Sequence, residues 1–172
     1  MSERHGAVTF KGNPLTLLGS ETGQGDQLPD LSLLATDLSE VKLSSYRGKV
    51  LVLIAVPSLD TPVCDLETKR FNEEAGRLGA QGIQFVTISM DLPFAQARWL
   101  DANKAENVTA LSDHMQGAAG MDLGVMIKEL RLLARAIWVV NQEGKVSYFQ
   151  LVKEVADEPD YEAVLNAAKA LL

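Results

Sequence analysis

The chain contains a single cysteine, Cys64, at the end of a Pro-x-x-x-Thr-x-x-Cys motif that begins at Pro57. An apolar run at residues 50–56 predicts a buried strand before the motif, and the helical spacing of apolar residues after it predicts a helix that begins near Pro62. Cys64 is therefore expected in the first helical turn. The unpaired N–H groups and positive dipole end of a helix favour the thiolate, which is the nucleophilic form. A lone free cysteine is more often a small buried hydrophobic side chain, but this setting favours a nucleophile.

The residues around Cys64 have expected roles in the same loop. Thr61 places a hydroxyl on the same turn as the thiol, where it is able to donate a hydrogen bond to the sulfur or to an incoming oxygen. Pro57 and Pro62 restrict the backbone, and Pro62 suits the first position of a helix because its missing N–H is not needed there. Asp60 is expected to help to fix the loop. The sequence thus predicts a rigid loop that holds one thiol in one geometry.

This motif and four further segments resemble a known family. The motif that ends at Cys64 resembles the active-site signature of the peroxiredoxins, which are cysteine-based peroxidases with a thioredoxin-like fold. The four segments resemble the thiol peroxidase branch, the bacterial atypical two-cysteine peroxiredoxins: TPVCDLETKRFNEEA (61–75), DLPFAQARW (91–99), LARA (133–136) and EPDYEA (158–163). The resemblance extends from Val8 to the C-terminus. It implies a peroxidase acting on hydrogen peroxide and on alkyl or lipid hydroperoxides, and it favours a homodimer.

The chain departs from that branch at one position. In the branch, the helix that begins with the Asp-Leu-Pro-Phe segment carries a second, resolving cysteine directly after an Arg-aromatic pair. This chain has Leu100 there and no other cysteine, so the intramolecular disulfide of the family is impossible. Leucine is an unusual replacement for a deliberate removal of cysteine, which favours a natural one-cysteine variant. An external thiol is therefore expected to reduce the oxidised protein: a thioredoxin, a glutaredoxin or a low-molecular-weight thiol.

Arg135 is the expected partner of the sulfur. It directly precedes an apolar segment, residues 136–140, that predicts a strand. The resemblance assigns the arginine of the Leu-Ala-Arg-Ala segment to the peroxidatic pocket. A guanidinium is always charged and carries several N–H donors, so it stabilises a thiolate and a peroxide oxygen together. The alternatives are that Arg135 lies on the surface at a strand edge, or that the nearby Arg131 takes its place.

Together these residues predict a defined reaction. The Cys64 thiolate attacks the terminal oxygen of a hydroperoxide in line with the O–O bond, which gives a sulfenic acid and releases water or an alcohol. Thr61 and Arg135 hold the peroxide and offset the charge on the departing oxygen. The rival is a redox sensor or thiol-dependent binding protein of the same fold, which would oxidise at Cys64 and signal to a partner. Turnover separates the two, because a sensor stops near one equivalent of peroxide.

Composition and charge exclude other classes. A net charge of −7 and a sequence pI of about 4.8 argue against binding to nucleic acid or to an anionic membrane, which both require clustered Lys and Arg. The sequence has neither the apolar core of a signal peptide nor a membrane span of roughly 20 apolar residues. A cytoplasmic location is expected, because lone thiols stay reduced there. No histidine has a second ligand at metal spacing and the lone Gly-x-Gly at residues 23–25 is no dinucleotide motif, so no metal or cofactor is expected.

The strands and helices predicted to position these residues belong to a single predicted domain, residues 1–172. An N-terminal β-hairpin is predicted from residues 7–10 and 15–18. Further strands are predicted at residues 31–35, 41–43, 50–56, 83–90, 108–111, 136–140 and 145–151, with helices at 62–78, 93–102 and 161–171. This order predicts an α/β fold, a thioredoxin-like sandwich with a mixed central sheet and flanking helices. The apolar segment between His114 and Arg135 is compatible with core, with a dimer face or with a pocket for apolar substrates.

Overall fold

Eleven strands and four α-helices make up the fold, and the computed structural model describes residues 1–172. The strands are β1 (Glu3–Phe10), β2 (Asn13–Leu18), β3 (Ser32–Leu34), β4 (Glu40–Lys42), β5 (Val50–Ala55), β6 (Ile83–Ser89), β7 (Thr109–Ser112), β8 (Met126–Ile127), β9 (Leu132–Leu133), β10 (Ala136–Val140) and β11 (Val146–Leu151). The helices are α1 (Pro62–Leu78), α2 (Pro93–Ala102), α3 (Ala118–Asp122) and α4 (Tyr161–Lys169). None of them is both long and apolar enough to cross a membrane.

Seven of the strands form a mixed sheet in the order β11-β10-β5-β6-β7-β3-β4. Strands β5, β6 and β7 are parallel to one another, whereas β10 pairs with β5 in the antiparallel sense. The other four strands form a second sheet, β1-β2-β8-β9, in which β1 and β2 are the two arms of a hairpin. The mixed central sheet, its flanking helices and the N-terminal hairpin confirm the predicted α/β class.

The central strand β5 separates two apolar layers. All six of its residues are buried, as expected for a strand covered on both faces, which needs a continuous apolar sequence. Its odd-numbered residues pack in the cluster that contains the four-stranded sheet. Its even-numbered residues pack in the cluster formed with α1, α2 and α4, and this second cluster also contains Cys64. The thiol therefore lies on the helical side of the large sheet.

Helices α1 and α2 begin where the sequence predicts them. Both start at a proline, Pro62 and Pro93, whose fixed φ and missing N–H suit the first helical position. The predicted bounds of α2 at residues 93–102 are confirmed, and α1 ends at Leu78, as predicted. Each helix follows the carboxyl end of a strand after a short loop, and β5 and β6 are parallel, so the first turns of α1 and α2 lie at the same edge of the sheet.

The second sheet is larger than the sequence predicts. The hairpin strands begin earlier, at Glu3 and Asn13, and β8 and β9 add two residues each. Strands of two residues carry no periodic pattern, which is why the segment that contains them gave no clear prediction. Leu123 and Met126 in this segment are fully buried, so much of it is core, although Met115 is 67% exposed.

The register between β10 and β5 places Arg135 at the thiol end of the sheet. Ala136 pairs with Ala55 at the last position of β5, and the two strands are antiparallel. Arg135, one residue before β10, therefore lies beside the point where β5 ends and the loop to Cys64 begins. Cys64 and Arg135 are 71 positions apart in sequence, and this strand pairing brings them close together.

Candidate active site

Cys64 is the third residue of α1 and its side chain is fully buried. Thr61 caps the helix, with its Oγ1 accepting a hydrogen bond from the Cys64 N–H at 3.4 Å. The remaining N–H groups of the first turn carry the positive end of the helix dipole, which favours a negative charge on the sulfur. The structure thus places Cys64 in the position that the sequence predicts.

Arg135 reaches the sulfur from the start of β10. Its Nη1 donates a hydrogen bond to Cys64 Sγ at 3.3 Å, and the side chain is 1% exposed. Its Nε and Nη2 both donate to the carbonyl oxygen of Val155, at 3.3 and 2.9 Å. Two bonds to one carbonyl fix the plane of the guanidinium and leave Nη1 directed at the thiol. Arg131, the alternative partner, is exposed in the turn between β8 and β9.

Glu67 is a member of the site that the sequence analysis missed. It lies three residues after Cys64, on the same face of α1, and its Oε2 forms a salt bridge with Arg135 Nη1. Its side chain is fully buried, and Oε1 has no hydrogen-bond partner. A glutamate in the first turns of a helix usually faces solvent, but the i+3 spacing from the cysteine was a signal that could have identified it.

Burial decides the charge state of Glu67. Loss of hydration raises the pKa of this carboxyl to about 7, because it outweighs the opposing effect of Arg135, and the negative charge of Glu158 acts in the same direction as burial. Burial also lowers the pKa of Arg135, but the charges of Glu67 and Cys64 reverse this and raise it overall. The guanidinium stays charged. With a pKa of about 7, Glu67 is protonated in part of the molecules near neutral pH, and in those molecules the positive charge faces the sulfur alone.

The loop before Cys64 is held by a hydrogen-bond network centred on Asp91. The carboxylate of Asp91 accepts bonds from Ser58 Oγ at 2.7 Å, from the Leu59 N–H at 2.9 Å and from Ser89 Oγ at 2.8 Å. Asp91 follows β6, so this network ties the loop to the end of the neighbouring strand. Sequence analysis did not identify it, because an aspartate after a strand is a common turn residue.

Three predicted loop residues occupy different positions around this network. Thr61 Oγ1 donates its proton to the Ser58 carbonyl at 2.9 Å, so it presents a lone pair rather than a donor to the site. Pro57 is buried two residues after the end of β5. The Asp60 carboxylate is 64% exposed and lies 3.7 Å from Arg98, which makes a surface ion pair of small energetic value. The loop backbone is therefore held by Asp91, and Asp60 contributes only at its surface.

Helix α2 packs beside the first turn of α1. Trp99 Nε1 donates a hydrogen bond to Asp65 Oδ1 at 3.0 Å, which joins the residue after Cys64 to α2. Leu100, the next residue of α2, is partly buried and packs against the apolar cluster that contains Cys64. An aliphatic side chain therefore occupies the place where a second thiol would be needed for an internal disulfide.

Comparison with known proteins now identifies the family. The Redoxin family model matches residues 23–165. The thiol peroxidase of Oceanobacillus iheyensis is 53% identical to this chain over 159 residues, which cover 92% of this chain and 96% of that protein. The chain belongs to the thiol peroxidase branch of the peroxiredoxins. Leu100 stands where the resemblance places the resolving cysteine of that branch, and Cys64 is the only cysteine of the chain.

Other peroxiredoxins are similar in sequence and in structure. The Bacillus subtilis thiol peroxidase is 50% identical over 165 residues, covering 96% of this chain and 98% of that protein. A peroxiredoxin-like protein from Aquifex aeolicus superposes with a TM-score of 0.90 at 42% identity, covering 98% of this chain and 99% of that one. The thiol peroxidase from Chromobacterium violaceum has a TM-score of 0.83 at 20% identity over 95% of both chains, which supports the fold alone.

The raised pKa of Glu67 predicts a pH-dependent stability that Glu67→Gln removes. The folded protein holds this proton up to a pH of about 7, whereas the ordinary value is 4.5. Its stabilising effect is complete below pH 4.5 and is lost as the pH rises towards 7, by up to roughly 3 kcal/mol. Urea unfolding at the two ends of this range should show a flatter pH dependence in Glu67→Gln than in the native protein.

Glu73→Gln is the matched control, because Glu73 is an exposed carboxyl of the same helix. Its unfolding free energy should follow the native pH dependence. The same slope in Glu67→Gln as in the native protein would show that the buried carboxyl is ionised throughout this range and would contradict the assignment.

Proposed function

We propose that this chain is a one-cysteine thiol peroxidase, which reduces hydrogen peroxide and organic hydroperoxides at Cys64 with electrons from an external thiol. The proposal rests on one observation above all, the hydrogen bond from the buried Arg135 guanidinium to Cys64 Sγ in the first turn of a helix. A fixed cation and a helix N-terminus together favour the thiolate that attacks peroxides. The thiol peroxidases at 53% and 50% identity support the same activity for this chain.

In the first step, the thiolate of Cys64 attacks the terminal oxygen of the hydroperoxide. A sulfur–oxygen bond forms as the O–O bond breaks, which gives a sulfenic acid, and the departing hydroxide or alkoxide takes a proton from solvent to leave as water or as an alcohol. Arg135 stabilises the charge that develops on the departing oxygen. Thr61 Oγ1 accepts a hydrogen bond from the O–H of the hydroperoxide, since its own proton is committed to the Ser58 carbonyl.

In the second step, an external thiol reduces the sulfenic acid. Its sulfur forms a mixed disulfide with Cys64 and water leaves, and a second thiol then displaces Cys64 as the free thiol. Leu100 excludes the internal route, because the chain has no other cysteine. The reductant is a thioredoxin, a glutaredoxin or a low-molecular-weight thiol. Since Cys64 is fully buried, part of the structure around it must move for the incoming sulfur to reach it.

The surface next to the site is apolar, which supports organic hydroperoxides as substrates and a homodimer as the assembly. Leu66, Leu92 and Phe94 are 52%, 54% and 67% exposed at the starts of α1 and α2. Arg98, one turn after Phe94, reaches Asp60 in the active-site loop, so this surface adjoins the site. Exposed apolar patches of this kind mark contact surfaces. Sedimentation velocity measures the assembly directly, and a monomer at all concentrations would contradict a dimer.

A cytoplasmic location fits the free thiol, because unpaired cysteines persist in the reduced form there. Cell fractionation tests this, and recovery of the protein with periplasmic or secreted fractions would contradict it.

Turnover distinguishes the enzyme from a redox sensor of the same fold. The native protein should consume many equivalents of hydrogen peroxide or cumene hydroperoxide in the presence of thioredoxin with its reductase, of glutaredoxin with glutathione, or of dithiothreitol. Cys64→Ser should consume none above the background, because it lacks the nucleophile. Consumption that stops at one equivalent with every reductant would favour the sensor, and unchanged consumption by Cys64→Ser would contradict the proposal.

Leu100→Cys should convert the protein to a two-cysteine peroxidase. The family resemblance places the resolving thiol at this position, and Leu100 packs in the same apolar cluster as Cys64. After one equivalent of peroxide, Leu100→Cys should lose both free thiols, because positions 64 and 100 form a disulfide within one chain. Thiol titration and non-reducing electrophoresis detect this bond. The control Leu92→Cys, which adds a thiol to the exposed turn before α2, should keep its added thiol free. Retention of a free thiol at position 100 would contradict a resolving role for this position.

A further inference from the structure

The turn of the N-terminal hairpin forms an anion site that holds Glu154. Lys11 and Gly12 have positive φ angles of 50° and 80°, and their N–H groups donate to the Glu154 carboxylate at 2.7 and 3.2 Å. Thr9 Oγ1 donates to the same carboxylate at 2.5 Å. These donors lower the pKa of Glu154 to about 2, with the Thr9 hydroxyl as the largest cause. The carboxylate is therefore charged at neutral pH, with three donors from the hairpin around it.

The segment around Glu154 is also paired with the end of β1 through its backbone. The Thr9 N–H donates to the Lys153 carbonyl at 2.7 Å, and the Val155 N–H donates to the Thr9 carbonyl at 2.8 Å. Residues 152–155 lie between β11 and α4 and belong to no regular strand or helix. They are held by these contacts with the hairpin, by a hydrogen bond from the Val152 N–H to the Arg135 carbonyl at 2.9 Å, and by the burial of the Val155 side chain in the core.

Val155, the residue after Glu154, holds the Arg135 guanidinium. The Val155 carbonyl accepts both the Nε and the Nη2 bonds of Arg135, at 3.3 and 2.9 Å. A continuous series of contacts therefore runs from the hairpin turn through Glu154 and Val155 to Arg135, whose Nη1 contacts Cys64. The hairpin precedes residues 23–165, the part of the chain that the Redoxin model matches.

We propose that Glu154 is a positioning residue for Arg135: its anchorage in the hairpin turn holds the Val155 carbonyl, and that carbonyl sets the plane of the guanidinium at the thiol. The N-terminal hairpin is then part of the peroxidase machinery, although none of its residues touches the substrate. The inference rests on the proposed role of Arg135 in peroxide reduction. A displacement of about 1 Å of a group that orients the reaction is able to cost up to a hundredfold in rate, so a loosened Val155 should be measurable.

Glu154→Gln tests the proposal, with Glu129→Gln as the matched control. Glu129 is also a carboxylate that accepts backbone hydrogen bonds from the second sheet, from the Thr16 N–H at 2.9 and 3.1 Å, but it has no link to Val155. The readout is the second-order rate of oxidation of the reduced protein by peroxide, with the melting temperature measured for each variant. We expect Glu154→Gln to be slower by about tenfold and Glu129→Gln by less than twofold.

The same substitution in an Arg135→Ala background separates positioning from general stability. If Glu154 acts through Arg135, Glu154→Gln should cause no further loss once the guanidinium is absent. An equal loss in both backgrounds, or equal losses from Glu154→Gln and Glu129→Gln, would overturn the proposal. Should Glu154→Gln fail to fold, Thr9→Val removes the hydroxyl donor alone and should slow oxidation in the same Arg135-dependent way.

Two remaining outcomes distinguish this inference from the proposed function. A native rate in Glu154→Gln, with a clear loss in Arg135→Ala, would overturn the role of Glu154 and leave the peroxidase mechanism intact. A native rate in Arg135→Ala would overturn the proposed role of Arg135, and the inference with it.

Discussion

The structure of the site depends on the burial of one guanidinium. Arg135 is 1% exposed, and a buried cation is tolerated only when its donors are satisfied and its charge is balanced. The Val155 carbonyl, the Glu67 carboxyl and the Cys64 thiol meet these needs. These partners come from α1 and from the segment before α4, so the contacts that make the buried arginine stable are the same contacts that assemble the reactive thiol.

One positive charge faces two groups that can each become negative. Glu67 and Cys64 both contact Arg135 Nη1, and two anions sharing one cation in a buried site would repel each other. Burial raises the pKa of Glu67 to about 7, so near neutral pH this carboxyl is protonated in part of the molecules and competes less for the guanidinium charge than an exposed glutamate does. Burial of Glu67 thus serves the thiolate. A glutamate at this position in a more exposed site would neutralise the arginine instead.

The sequence predicts the parts of the fold and of the site that leave a local pattern. The proline-started α2 and the apolar β10 were predicted with their observed bounds, and Cys64 and Arg135 were named from a motif and a resemblance. The sequence does not predict the two-residue strands β8 and β9, because they are too short to show any periodicity. The roles of Glu67, Asp91 and Glu154 were not predicted for a different reason. Charged residues usually lie at the surface, and only the long-range contacts of the fold show that the partners of these three include backbone N–H groups or a buried arginine.

The most direct test of the account is the rate at which peroxide oxidises reduced Cys64 in the absence of any reductant. Stopped-flow tryptophan fluorescence gives the second-order rate, and dimedone trapping with mass spectrometry locates the sulfenic acid. The account predicts a sulfenic acid at Cys64 that forms orders of magnitude faster than in free cysteine, and a rate at least tenfold lower in Arg135→Lys, which cannot keep both Val155 bonds while reaching the sulfur. A native rate no faster than that of free cysteine would contradict the claim that the buried guanidinium activates the thiol.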